Sequence, residues 1–169
     1  MILEDEFGGF SMNNIFEQSF IWNNIQHFTE VLPHNSQILF ACFCANQVIH
    51  LVPQEHQKVC KKAIEVALLF IDGKSTKEEC KKAAASTADA AYATASAVAA
   101  SAVDAAYAAA HAAYAAATYA AAHASDAAAY AASSNKEEIK QEQMNYLREL
   151  IINNLTEEEK DCWLLVASF

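Results

Sequence analysis

The sequence has few of the residues that interrupt helices, with three glycines and two prolines in 169 residues. Residues 83–132 contain no proline, glycine, lysine or arginine, and thirty-one of these fifty residues are alanine. Alanine has the highest intrinsic helix propensity because its side chain loses no entropy in a helix. Since no segment shows the alternation of a strand, the sequence predicts an all-α protein.

The motifs of common enzyme classes are also missing. The sequence has no GxGxxG, P-loop, GxSxG or HExxH motif, and three glycines are too few for a phosphate-binding loop. The five cysteines are odd in number and lack CxxC spacing, which argues against a zinc site and a disulfide framework. Cys42 and Cys44 near His50 resemble a nucleophile pair, but buried cysteines in an apolar helix are the commoner case. We therefore expect a protein that is not an enzyme and needs no cofactor or metal.

Basic residues are scarce, and the formal net charge is −10. This balance argues against nucleic-acid binding, which needs many lysines and arginines. Seven of the eleven basic residues nevertheless lie between Lys58 and Lys82. They are either a solvated surface or an anion-binding site. The candidates for such a site are Lys58, Lys61, Lys62, Lys81 and Lys82.

The sequence shows no targeting or membrane signal. Its first residues are acidic where a signal peptide is basic, and Asp89, Asp104 and Asp126 interrupt the alanine-rich run. We therefore expect a cytoplasmic protein that does not bind membranes. Residues 1–12 are expected to be frayed.

Caps and breakers predict one helical domain over residues 1–169, a compact bundle of six to eight helices. Pro33 and Pro53 delimit a buried helix, and Ser36 is its predicted cap. Ser75 and Thr76, three residues before Glu78 and Glu79, predict a capping box. The predicted helices outside the alanine-rich run are 14–31, 37–51, 54–71, 136–153 and one that begins at Thr156.

The alanine-rich run must itself be broken, because fifty residues of helix would extend roughly 75 Å. We expect breaks at Thr94–Ser101 and at His123–Asp126, where polar side chains compete for backbone hydrogen bonds. The result would be an alanine-rich helical hairpin at the core, packed against the helix 37–51. A wide alanine surface buries little area per residue, so self-association into a homo-oligomer is also expected.

The larger residues of the run fall on two helical stripes with i, i+4 and i+7 spacing. Tyrosines on such stripes either fill space between alanine ridges or line a site for a planar ligand or a partner. A metal site is not expected, because no two histidines have HxxxH spacing. The candidate binding residues are Tyr107, His111, Tyr114, Tyr119, His123, Asp126 and Tyr130.

Several segments resemble an alanine-rich family of bacterial immunity proteins. Residues 57–73 (QKVCKKAIEVALLFIDG) are similar to the family's RxAIEAARxWxxGE helix, and residues 123–132 (HASDAAAYAA) to its HAxxAAxYA motif. A short helix with Cys162-Trp163 follows, and the resemblance covers about Ile38 to Phe169. It implies a small helical protein that neutralises a protein toxin or effector by binding it. The alternative is a sponge for a nucleotide immune signal, such as a phage anti-defence protein, with tyrosines stacking a base and lysines holding phosphate.

Overall fold

A computed structural model describes residues 25–30, 32–95, 100–117, 122–131 and 135–156. These residues are almost entirely helical and contain no strand, which confirms the all-α prediction. The predicted frayed terminus 1–12 and the last predicted helix after Thr156 lie outside the described residues. The helices are α1 Ile25–Glu30, α2 His34–Val48, a 3₁₀ turn Ile49–Leu51, α3 Gln54–Ile71, α4 Lys77–Ala95, α5 Ala100–Ala117, α6 Ala122–Ala131 and α7 Lys136–Asn154.

The two prolines, predicted as the ends of the preceding helices, stand at the starts of α2 and α3. In both helices the proline carbonyl accepts the first backbone hydrogen bond, from the amide of Gln37 after Pro33 and from the amide of Gln57 after Pro53. The prediction that Ser36 is the cap of α2 was wrong, because the helix begins two residues earlier. The Ser36 hydroxyl instead accepts a hydrogen bond of 3.1 Å from the Asn154 side chain and connects α2 to the end of α7.

A tight connection joins α3 to α4. Gly73, two residues after the end of α3, has a positive φ of 70°, which glycine adopts without strain. The predicted capping box is present at the start of α4. The Thr76 amide donates to the Glu79 carboxylate at 2.7 Å, and the Glu79 amide donates to the Thr76 hydroxyl at 3.2 Å. Because this connection is short and α3 packs against α4, the two helices run antiparallel.

The alanine-rich run forms three helices, α4, α5 and α6. Because α4 and α5 pack against each other, they are separate helices, which agrees with the predicted break at Thr94–Ser101. The second predicted break was misplaced, because His123–Asp126 lies inside α6. Both α5 and α6 pack against α2, as predicted.

Helix α5 is central, since it packs against α2, α3, α4 and α6. Small side chains allow these neighbours to approach closely on several sides at once. Larger core residues come from other helices, among them Ile38 and Phe40 of α2 and Leu147 of α7. None of the described helices is long and apolar enough to cross a membrane. The fully buried alanines of α5 are Ala105, Ala106, Ala108, Ala109, Ala112, Ala113 and Ala115.

Candidate functional site

Three of the candidate residues, Tyr107, His111 and His123, are in contact where α5 and α6 pack together, and Tyr114 and Tyr130 lie on the same two helices. The ring centroids of His111 and His123 are 5.5 Å apart, so the two helices are bridged by an imidazole pair. Tyr107 lies one turn before His111, with ring centroids 6.4 Å apart. Tyr119 lies outside the described residues, as does the Asp126 side chain. We call the described set, Tyr107, His111, Tyr114, His123 and Tyr130, the Tyr-His face.

Members of the Tyr-His face differ in exposure. Tyr107 is half-buried and packs against the hydrophobic core, as a space-filling residue would. Tyr114 and Tyr130 are 45% and 65% exposed, although large apolar side chains are usually covered. The Lys136 ammonium lies 4.8 Å from the centroid of the Tyr130 ring, in cation–π contact. Space filling therefore explains Tyr107 but not Tyr114 or Tyr130.

The surroundings of His111 disfavour its charged form. Burial lowers the pKa of His111, and the neighbouring His123 lowers it further. Burial also raises the pKa of Asp104, which precedes Tyr107 by one turn of α5. A neutral imidazole can both donate and accept a hydrogen bond. His111 is thus suited to polar recognition on a surface that is otherwise alanine and tyrosine.

The candidate lysines separate into two groups. Lys58, Lys62 and Lys82 line a cleft of about 530 Å³ between α3 and α4, which we call the lysine cleft. Lys61 and Lys81 do not line it. Among the described residues, no member of the Tyr-His face contributes to this cleft. The structure therefore gives no support to a single nucleotide pocket that combines tyrosine stacking with lysine contacts.

Two features of the lysine cleft were not predicted from the sequence: its fourth lysine, Lys74, and its apolar floor. Lys74 follows Gly73, whose turn brings the lysine back toward α3. The floor had a signal in the sequence, because Val59, Ala63 and Val66 have i, i+4 and i+7 spacing on one face of α3.

The four cysteines in the described part of the chain are poorly suited to nucleophilic catalysis. Cys42, Cys44, Cys60 and Cys80 are all buried and reduced. Burial, with a contribution from Cys80, raises the pKa of Cys42 to about 12, and burial raises that of Cys60 to about 11. A thiol with such a pKa is a poor nucleophile at neutral pH, because it is hardly ionised. Within the described residues, no three side chains of histidine, cysteine, aspartate or glutamate could together hold a metal ion.

Comparison with known proteins places the chain in a family. No curated protein and no solved structure shows significant similarity to it. A family model described as "Imm-5 like putative immunity protein" matches residues 27–158. This range contains both the Tyr-His face and the lysine cleft, and it confirms the resemblance found in the sequence. Since the match covers well over half of the chain, the protein belongs to the Imm-5 like immunity protein family.

Proposed function

We propose that this protein neutralises a protein toxin by binding it, without turnover, and that the Tyr-His face is the contact surface. Membership of an immunity protein family supports the general role. The observation that carries the choice of surface is the exposure of Tyr114 and Tyr130, at 45% and 65%. Tyrosine is enriched among the residues that dominate binding energy at protein interfaces. The sequence adds Tyr119 and Asp126 to the proposal, because they share helical spacing with His123 and Tyr130.

The scaffold around these tyrosines suits a contact surface. Tyr114 and Tyr130 project from α5 and α6, and the neighbouring alanines of these helices are buried. A tyrosine has only two side-chain torsions, so fixing it in an interface costs little entropy. His111 and His123 add polar groups between the two helices. The surface thus combines rigid aromatic contacts with hydrogen-bonding groups.

The charge of the chain favours a basic toxin. At a formal net charge of −10, long-range attraction speeds association with a positively charged partner such as a nuclease. This attraction is screened over about 10 Å at 0.1 M salt. The association rate with the toxin should therefore fall as salt is added, while the dissociation rate changes less.

The test combines binding with protection. The chain is mixed with a basic nuclease toxin domain, and affinity is measured by calorimetry while toxin activity is followed in parallel. We expect Tyr114→Ala and Tyr130→Ala each to weaken affinity about tenfold, a loss of about 1.4 kcal/mol. Leu68→Ala is the matched control, because Leu68 is 39% exposed on α3, away from the Tyr-His face.

Thermal unfolding of the same variants separates binding from folding. Because both tyrosines are exposed, we expect little change in stability from their removal. If both tyrosine variants bind and protect as well as the unmodified chain, the Tyr-His face is not the contact surface. Protection of a host without any complex would contradict the proposal of action by binding.

A further inference from the structure

We propose that the lysine cleft is a second interaction surface, which takes an acidic amphipathic helix from a partner protein. The inference does not depend on the Tyr-His face or on the identity of the toxin. Two observations carry it: the cleft has an apolar floor of helical length, and its charge is opposite to that of the chain as a whole.

The shape of the cleft fits one face of a helix. Its floor includes Val59, Val66 and Leu69 of α3 and Ala83 of α4. From residue 59 to residue 69, α3 rises roughly 15 Å, which is about three turns of helix. A groove between two antiparallel helices runs along their axes, so an incoming helix can lay its apolar side along this floor. Partners that bind in this way present apolar residues at i, i+3, i+4 and i+7.

The charge around the floor selects an acidic partner. The lining contains four lysines and one carboxylate, that of Glu79. Lys62 pairs with Glu65 and Lys74 with Asp72, each at 3.0 Å and on the exposed surface, where such pairs are weak and can rearrange. Lys58 and Lys82, one on each helix, form no ion pair within the described part of the chain. Carboxylates flanking the apolar stripe of a partner helix would complement them.

The same lining disfavours two other ligands. A nucleotide base needs an aromatic platform, and no aromatic residue is among the described residues of the cleft. The four lysines come from α3, from the turn after it and from α4, around an apolar floor that a lone phosphate would not use. A membrane surface would attract basic residues on a convex face, whereas these lysines rim a concave groove.

The experiment uses the full chain and a designed peptide probe. The probe has roughly 15 residues, about four turns, with leucine and phenylalanine at i, i+3, i+4 and i+7 and glutamate or aspartate at most other positions. A second peptide has the same composition in an order that gives no apolar face. Binding is measured by fluorescence anisotropy. We expect the first peptide to bind at micromolar concentration and the reordered peptide to bind at least tenfold more weakly.

The chain provides a closely matched pair of variants. Lys58→Glu with Lys82→Glu reverses charge inside the cleft, and Lys61→Glu with Lys81→Glu makes the same change of charge on neighbouring residues outside it. We expect the first double variant to weaken peptide binding at least tenfold and the second less than threefold. Circular dichroism and thermal unfolding establish that both variants fold. The Val66→Ser variant, which alters the floor without changing charge, should also weaken binding.

Three results would overturn the proposal. One is equal binding of the two peptides, because the apolar face would then be irrelevant. Another is an equal effect of the two double variants, because attraction would then be nonspecific. The third is direct binding of ATP or of anionic vesicles to the unmodified chain, more tightly than the peptide and lost in Lys58→Glu with Lys82→Glu, which would assign the cleft to a nucleotide or a lipid surface instead.

Discussion

Replacing Ala109 with leucine tests whether the tight packing of α5 depends on alanine. In an isolated helix this change is nearly neutral, because alanine and leucine have similar helix propensities. Ala109, however, is fully buried in the main core cluster, on a helix that packs against four others. Leucine adds three carbons, whose burial would favour folding by about 2 kcal/mol if there were room for them.

The burial of Ala109 and its neighbours decides whether the substitution stabilises or destabilises the fold. Because Ala105, Ala108 and Ala112 are also fully buried, the added atoms must displace helices instead of filling a gap. Overpacking of this kind costs about 1–3 kcal/mol. For a chain of this size, 1 kcal/mol corresponds to about 2–4 °C in the unfolding midpoint. Ala109→Leu should therefore lower the midpoint by roughly 2–12 °C, measured by circular dichroism or calorimetry.

The control makes the same substitution on an exposed part of a neighbouring helix. Ala85 lies on the surface of α4, so Ala85→Leu should change stability by less than about 0.5 kcal/mol. If Ala109→Leu is as stable as the unmodified chain, α5 has room for larger side chains and its alanines are not required by packing. If Ala85→Leu is destabilised to the same degree, the effect does not come from burial.

Two further predictions follow from shifted pKa values. In a Cys162→Ser variant, iodoacetamide at pH 8 should label Cys42 of the folded protein roughly a thousandfold more slowly than an ordinary thiol, because the pKa of Cys42 is raised from 9.0 to about 12. Rapid labelling of Cys42 before denaturation would contradict the burial of this thiol. The pKa of His111 is lowered below 6.5 in the folded state, so the unfolded chain binds that proton more tightly and stability falls as the pH drops through 6.5. His111→Gln should reduce this loss of stability at low pH, measured as the free energy of unfolding in urea. His123→Gln should restore the pKa of His111 only in part, because burial is the larger cause of its shift. If the free energy of unfolding of His111→Gln depends on pH as it does in the unmodified chain, the assignment to His111 is wrong.

Helix limits marked by proline and glycine were predictable from the sequence. The predicted helix 54–71 agrees with α3 at both ends, because Pro53 and Gly73 act locally and need no tertiary contact. Ser36 was a wrong cap because proline had already supplied the start of α2. The break placed at His123–Asp126 was wrong for a different reason. Serine and aspartate side chains compete only weakly for the backbone hydrogen bonds of a helix, and packing of α6 against α2 and α5 keeps this segment helical.

The candidate sites depend on packing that the sequence does not contain. Adjacent residues of a helix differ by about 100° in direction, so Lys61 and Lys62 look equivalent until the position of α4 is known. The same holds for Lys81 and Lys82. The pair His111 and His123 was predicted on two separate stripes, and their contact depends on how α6 lies against α5. Self-association was expected from the alanine surface and stays a prediction.

Helix α5 combines buried alanines with an exposed tyrosine, which separates the residues that stabilise the fold from those proposed to bind. A helix such as α5 uses its smallest side chains to pack against four neighbours, so folding does not require Tyr114 to be buried. Its ring, 45% exposed, can then contribute area to binding. Stability and affinity should consequently respond to different residues of one helix: Ala109→Leu should lower stability, whereas Tyr114→Ala should lower affinity for the toxin. If both variants lost stability alone, the tyrosines would be part of the packing and the proposed contact surface would have to lie elsewhere.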